Sequence, residues 1–172
     1  MTDEHSLHSS KRENTLEHIF IGDVMRTLWV SGVYDLEVLK PEVDDSGYDI
    51  VFETSAIVRH IQLKSTKRDS HVSSVNVQLQ LGNKPNGCII IIEFDDKLQL
   101  GPFYWFGNPP RQGMPAISSF PIAKQTKGNA LGKKLERPNI RKIPRSSFQK
   151  IESIDEVIEC LFGKYPNSAC KA

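Results

Sequence analysis

Two alternating runs constrain this chain more than any other feature. Ser46-Gly47-Tyr48-Asp49-Ile50-Val51-Phe52 and His60-Ile61-Gln62-Leu63-Lys64-Ser65 alternate polar and apolar side chains, as strands with one covered and one open face do. A connection turning near Ser55-Ala56 makes them an antiparallel hairpin, with Asp49 opposite Gln62 and Lys64 two residues further along the same face. A carboxylate, an amide oxygen and an ammonium then converge. Such a set can hold a hard divalent cation and place a positive charge beside the water or phosphate it activates. Aspartate is a poor strand former, and Tyr48, Ile50 and Phe52 make its surroundings apolar, which favours a functional role for Asp49 over a surface strand position. For Gln62 and Lys64 the plain alternative is a pair of exposed strand residues.

Length allows one substantial core, so the chain divides into a flexible segment over residues 1–12 and a single domain over 13–172. The net charge of +1 hides a segregation: seven acids against one lysine over residues 35–53, and nine basic residues against Glu136 alone over 124–150. Brought together by folding, these segments give a cation-binding mouth and a polyanion-binding surface. Left apart, they are a solvated rim and a soluble tail. Asp44 and Asp45 add negative potential, yet they stand in a loop where aspartate is common for turn reasons alone.

Cys88, Cys160 and Cys170 are widely spaced, and neither they nor His5, His8, His18, His60 and His71 show a metal-ligand spacing. The N-terminus lacks an apolar signal segment and no apolar run is long enough to cross a bilayer, which predicts a cytoplasmic protein without membrane contact.

Leu16, Ile19, Phe20, Val24, Thr27 and Leu28 form a helical stripe, and Asn14 three residues before Glu17 gives a capping pattern. Glu17 lies at the stripe's edge, where it either reaches a strand-borne site or simply caps the helix; Asp23, nearer the centre of the apolar face, is the competing acid. A strand through Leu36, Val38 and Leu39 follows. Residues 70–82 read as strand through Val75, Val77, Leu79 and Leu81, or as helix through Val72, Val75 and Leu79. After the turn Asn83-Lys84-Pro85-Asn86-Gly87, the continuous apolarity from Cys88 to Phe94 predicts a central strand covered on both faces.

Leu98 to Phe106 predicts an edge element, whose aromatics more often complete a core than stack on bases. Residues 107–130 predict a long irregular loop. Within 124–150, Lys133, Lys134, Arg137, Arg141, Lys142 and Arg145 are candidates for holding backbone phosphates; the glycines nearby make no nucleotide-binding motif. Ser153 and Glu156 cap a last helix through Val157, Ile158, Leu161 and Phe162, with Gly163 as its stop.

With Asp49, Gln62 and Lys64 in this order, and Glu17 on the preceding helix, residues 13–95 resemble the PD-(D/E)XK nuclease superfamily, in the variant whose second motif reads Gln-x-Lys, as in restriction enzymes acting on modified DNA. The resemblance implies an α/β fold, a restriction endonuclease-like core with a mixed central sheet flanked by helices. It implies that Asp49, Gln62 and Glu17 hold Mg²⁺, with Mn²⁺ as a substitute, and that Lys64 orients or activates the attacking water. The activity expected is hydrolysis of DNA phosphodiesters by an endonuclease, in restriction or defence, acting as a homodimer on opposite strands and with a defence-system protein as a further partner. Gln62 replaces the commoner acid and lowers the ligand charge, so a catalytically weak or inactive nuclease-like nucleic-acid-binding module is the alternative. A non-enzymatic assembly protein is a third.

Overall fold

The computed structural model of the chain describes residues 8–43, 46–127, 132 and 134–164. Helix α1 (Ser9–Val30) buries Leu16, Phe20, Val24 and Leu28, a row at intervals of four that forms one apolar face. It begins before Asn14, so the Asn14 and Glu17 pattern lies inside the helix and caps nothing. Its first turns are tied down otherwise: the Thr15 hydroxyl donates to the Lys11 carbonyl at 2.9 Å, and the Arg12 guanidinium lies 5.2 Å over the Phe94 ring.

The main sheet runs β1 (Glu37–Leu39), β2 (Ile50–Glu53), β3 (Val58–Lys67), β5 (Gly87–Phe94), β6 (Leu100–Phe106), β9 (Gln149–Ile151). Strands β3 and β5 are parallel and every other neighbouring pair is antiparallel. This is the mixed-sheet α/β architecture of restriction endonuclease-like proteins. Strand β6 is not an edge, because β9 pairs outside it, Trp105 facing Gln149; Trp105 and Phe106 are accordingly buried.

Residues 70–82 resolve the strand-or-helix ambiguity toward strand. Strand β4 (Ser74–Gln78) and a 3-10 turn (Leu79–Asn83) connect β3 to β5. The β-branched Val75 and Val77 suit a ladder better than a helix, and β8 (Glu136–Pro144) supplies it, with Val75 opposite Ile143. With β7 (Ile122–Lys124) these make a second sheet, ordered β4-β8-β7. Residues 136–144 of the basic segment are therefore a strand rather than part of a tail, and β7 lies inside the stretch that reads as loop.

Strand β5 explains its own apolarity. Cys88, Ile90 and Ile92 enter a core with α1 and α2 (Ile154–Phe162), whereas Ile89 and Ile91 meet Val77, Leu81 and Ile143 between the two sheets. Burial pushes the Cys88 thiol up to about 12, so it packs as a small hydrophobe. Helix α2 begins as expected: Ser153 Oγ accepts from the Glu156 amide at 3.2 Å, and Gly163 leaves it at φ +88°. Its last carbonyls are clasped by Arg59 on β3. This fully buried guanidinium donates to Leu161 O at 2.6 Å, Cys160 O at 2.7 Å and Asn108 O at 2.9 Å, and burial lowers its pKa.

Candidate active cleft and basic strand

Strands β2 and β3 pair in the expected register. Ile50 faces Ile61 and Val51 faces His60, and the ladder ends at Ile50, leaving Asp49 just before it. The alternation breaks at Asp49, however. Tyr48 packs into the core between the sheets while Ile50 packs into the helical core, although residues two apart in a regular strand share a face. Gly47 permits this turn. Its φ is +79°, and a β-carbon there would stand 2.7 Å from Gln78 Cβ, so both backbone and space demand glycine.

Asp49 therefore sits at the sheet edge. Its amide donates to Ile61 O at 2.9 Å, and its Oδ2 accepts from the Leu63 amide at 2.6 Å. A side-chain oxygen takes the strand donor that a continuing β2 would have satisfied with its backbone. Beyond Ile61, β3 is bordered by β5 on one side, and its other edge opens on a cleft of about 360 Å³. Glu13, Asn14 and Glu17 of α1 line this cleft together with Asp49, Lys64 and Ser65.

Three sequence candidates thus share one cleft: Glu17, Asp49 and Lys64. The fourth is set back. Gln62 is neighboured by Ile89 in the parallel register and is only 4% exposed. Its Oε1 is buried without a hydrogen-bond partner, a condition that costs about 1–3 kcal/mol. Glu17 Oε1 is also buried and lacks a hydrogen bond, yet it forms an ion pair with Lys40 Nζ. Lys40, the partner of a cleft carboxylate, is a residue that the sequence patterns did not single out; its signal was being the only lysine in the acidic segment over residues 35–53. Asp23, the competing acid, pairs with Arg26 at 2.8 Å on the helix surface.

Magnesium is commonly held by one or two carboxylates while it keeps several waters, and Asp49 and Glu17 are two carboxylates that line this cleft, whereas Gln62 is not among its lining residues. Among the described residues no three His, Cys, Asp or Glu side chains gather as a metal site. The ammonium groups of Lys40 and Lys64 offset part of the negative charge at the cleft.

The basic candidates divide. Lys134 and Lys142 line a groove of about 530 Å³ on the second sheet, which Lys124 joins. Arg137 is exposed on β8 opposite Ala123. Arg141 is committed to backbone, donating to Pro138 O at 2.6 Å. Arg145 forms an ion pair with the buried Glu93 and stacks 3.9 Å over the Tyr104 ring. Burial pulls its pKa down, but the bonds to Glu93 and Tyr104 outweigh that and leave it raised. Lys133, like Asp44, Asp45, His5 and Cys170, lies outside the described residues. Among the described residues no helix is long and apolar enough to cross a membrane.

No protein-family model matches the chain, and no curated relative does. Among solved structures it is similar to Hjc, a Holliday junction resolvase from Archaeoglobus fulgidus, at 14% identity and a TM-score of 0.38, covering 84% of this chain and 97% of that one. It is also similar to the bacterial homing endonuclease I-Ssp6803I, at 20% identity and a TM-score of 0.29, covering 68% of this chain and 82% of that one.

Proposed function

We propose that this chain is a nuclease-like nucleic-acid-binding protein whose capacity to hydrolyse phosphodiesters is weak. The observation that carries this reading is the shared cleft of Asp49, Glu17 and Lys64, beside a second sheet whose β8 carries exposed basic residues. Lys64 is suited to bind a phosphate oxygen or orient a water; the lysines of β7 and β8 hold backbone phosphates without reading bases. Two features keep hydrolysis weak. The acid usual at position 62 is a neutral, buried amide, and Lys40 competes for Glu17.

Full metal-dependent endonuclease activity is the second reading, favoured by the buried Gln62 oxygen that lacks a partner. Asp49, Glu17 and Gln62 would hold Mg²⁺ or Mn²⁺, which when bound supplies Lewis-acid polarisation of the phosphate and stabilises the leaving oxygen. Restriction or defence as the setting rests on the Gln-x-Lys resemblance. One experiment separates the readings: labelled DNA is bound in chelator, then incubated with Mg²⁺ or Mn²⁺. Salt-sensitive binding with slow or no cleavage supports the first, whereas efficient cleavage that Asp49→Asn abolishes supports the second. No binding at any salt concentration defeats both.

A further inference from the structure

The cleft at Asp49 is one end of a longer path. Lys64 and Ser65 also line a second pocket of about 210 Å³, walled by Val72, Val75 and Ile91 and reached by Asn76 and Arg145. Asn76 in turn borders the groove that holds Lys124, Lys134 and Lys142. Three recesses thus follow one another, the first and second sharing Lys64 and Ser65 in their walls and the second and third sharing Asn76. The path starts on the α1 side of the main sheet, passes the edge of β3 beyond Ile61, and continues over the second sheet.

We infer that this path threads a single nucleic-acid strand, with one unpaired base in the pocket between Val72, Val75 and Arg145 and the following phosphates on Lys124, Lys134 and Lys142. This rests on the nucleic-acid-binding reading and names its substrate class. Val72, Val75 and Ile91 give the middle pocket apolar surface on which an unstacked base can lie, and Arg145, whose guanidinium is already held by Glu93 and Tyr104, also lines it. Arginine planes are recurrent stacking partners for unpaired bases. The outer groove carries three lysines and, among the described residues, no carboxylate in its wall, which suits a polyanion. A duplex fits this path poorly. Its bases are paired and stacked inside, and base edges reach protein only through grooves about 6 and 12 Å wide, so no base could enter a recess of about 210 Å³ without being extruded.

The test uses the full chain in chelator, so that cleavage does not intervene, and fluorescence anisotropy of a short labelled oligodeoxynucleotide, its ribonucleotide counterpart and the matching duplex. Either single strand should bind about tenfold or more tighter than the duplex at equal salt, and the sugar preferred tells DNA from RNA. A scan of single abasic sites should find one position where affinity falls about tenfold, or about 1.4 kcal/mol, as expected when one stacked base is removed. Val72→Glu, at an exposed position, should erase that abasic discrimination. Replacing Lys124, Lys134 and Lys142 together by Gln should reduce the salt slope by about two units, from roughly 0.7 per strand phosphate. Equal or tighter duplex binding, a flat abasic scan, or an unchanged slope overturns the inference while leaving nucleic-acid binding intact. Failure to bind any of the three ligands overturns that reading as well.

Discussion

The Asp49 carboxylate accepts the Leu63 amide at 2.6 Å, so the residue that leads the candidate site also closes the open edge of β3. One side chain has a structural and a chemical task. Its substitutions must therefore be chosen to separate the two.

Asp49→Ala should lower stability by about 1–3 kcal/mol, because it strands the partly buried Leu63 donor. Asp49→Asn keeps an acceptor oxygen and should lose much less. Both variants should lose any metal-dependent cleavage, since neither has a carboxylate at this position. Urea unfolding alongside Mn²⁺-dependent nicking checks this; equal destabilisation by the two variants would show that the bond to Leu63 contributes little.

Gln62→Glu should convert the neutral donor into a charged one. Without metal, a carboxylate at a position 4% exposed disfavours folding; with metal it adds ligand charge, which tightens divalent sites. The variant should melt lower than the wild type in chelator yet gain more thermal stability as Mn²⁺ is titrated. Lys40→Gln, which removes the ion pair at Glu17, should shift Mn²⁺ binding in the same direction. A melting temperature indifferent to Mn²⁺ in both variants would remove Gln62 and Glu17 from the ligand set.

Arg145 and Lys142 should respond differently although both belong to the basic segment. Arg145→Ala leaves Glu93, 7% exposed, without its ion-pair partner and should cost about 3 kcal/mol. Lys142→Ala, exposed in the outer groove, should leave unfolding unchanged and lower the salt slope of nucleic-acid binding by about 0.7–0.9 units. Denaturant melts and salt titrations of both variants decide it, and matching effects on stability would refute the division.

Arg59→Met should loosen α2 more than any other element. The substitution leaves the carbonyls of Leu161, Cys160 and Asn108 without the guanidinium that now binds all three, a loss of about 3 kcal/mol or more. Hydrogen exchange should quicken first in residues 154–162. Uniform exchange across the domain would instead mean that α2 and the sheet open together.

What the sequence determined by itself is what depends on near neighbours. The period of two in the hairpin set the register of Ile50 against Ile61, the apolar run from Cys88 fixed a doubly covered strand, and Ser153 with Gly163 bounded α2. Capping, turns and alternation act over a few residues, so their signals stand in the order of the chain. The tertiary structure decided which groups share the cleft. A twist at Gly47 sent Tyr48 and Ile50 into different cores, which brought Asp49 to the edge while Gln62 stayed buried, and the end of β1 delivered Lys40 to Glu17. Periodicity says which face a side chain takes but not what packs on that face. The pairing of β4 with β8, more than fifty residues away, therefore made a second sheet of an ambiguous run and a basic segment.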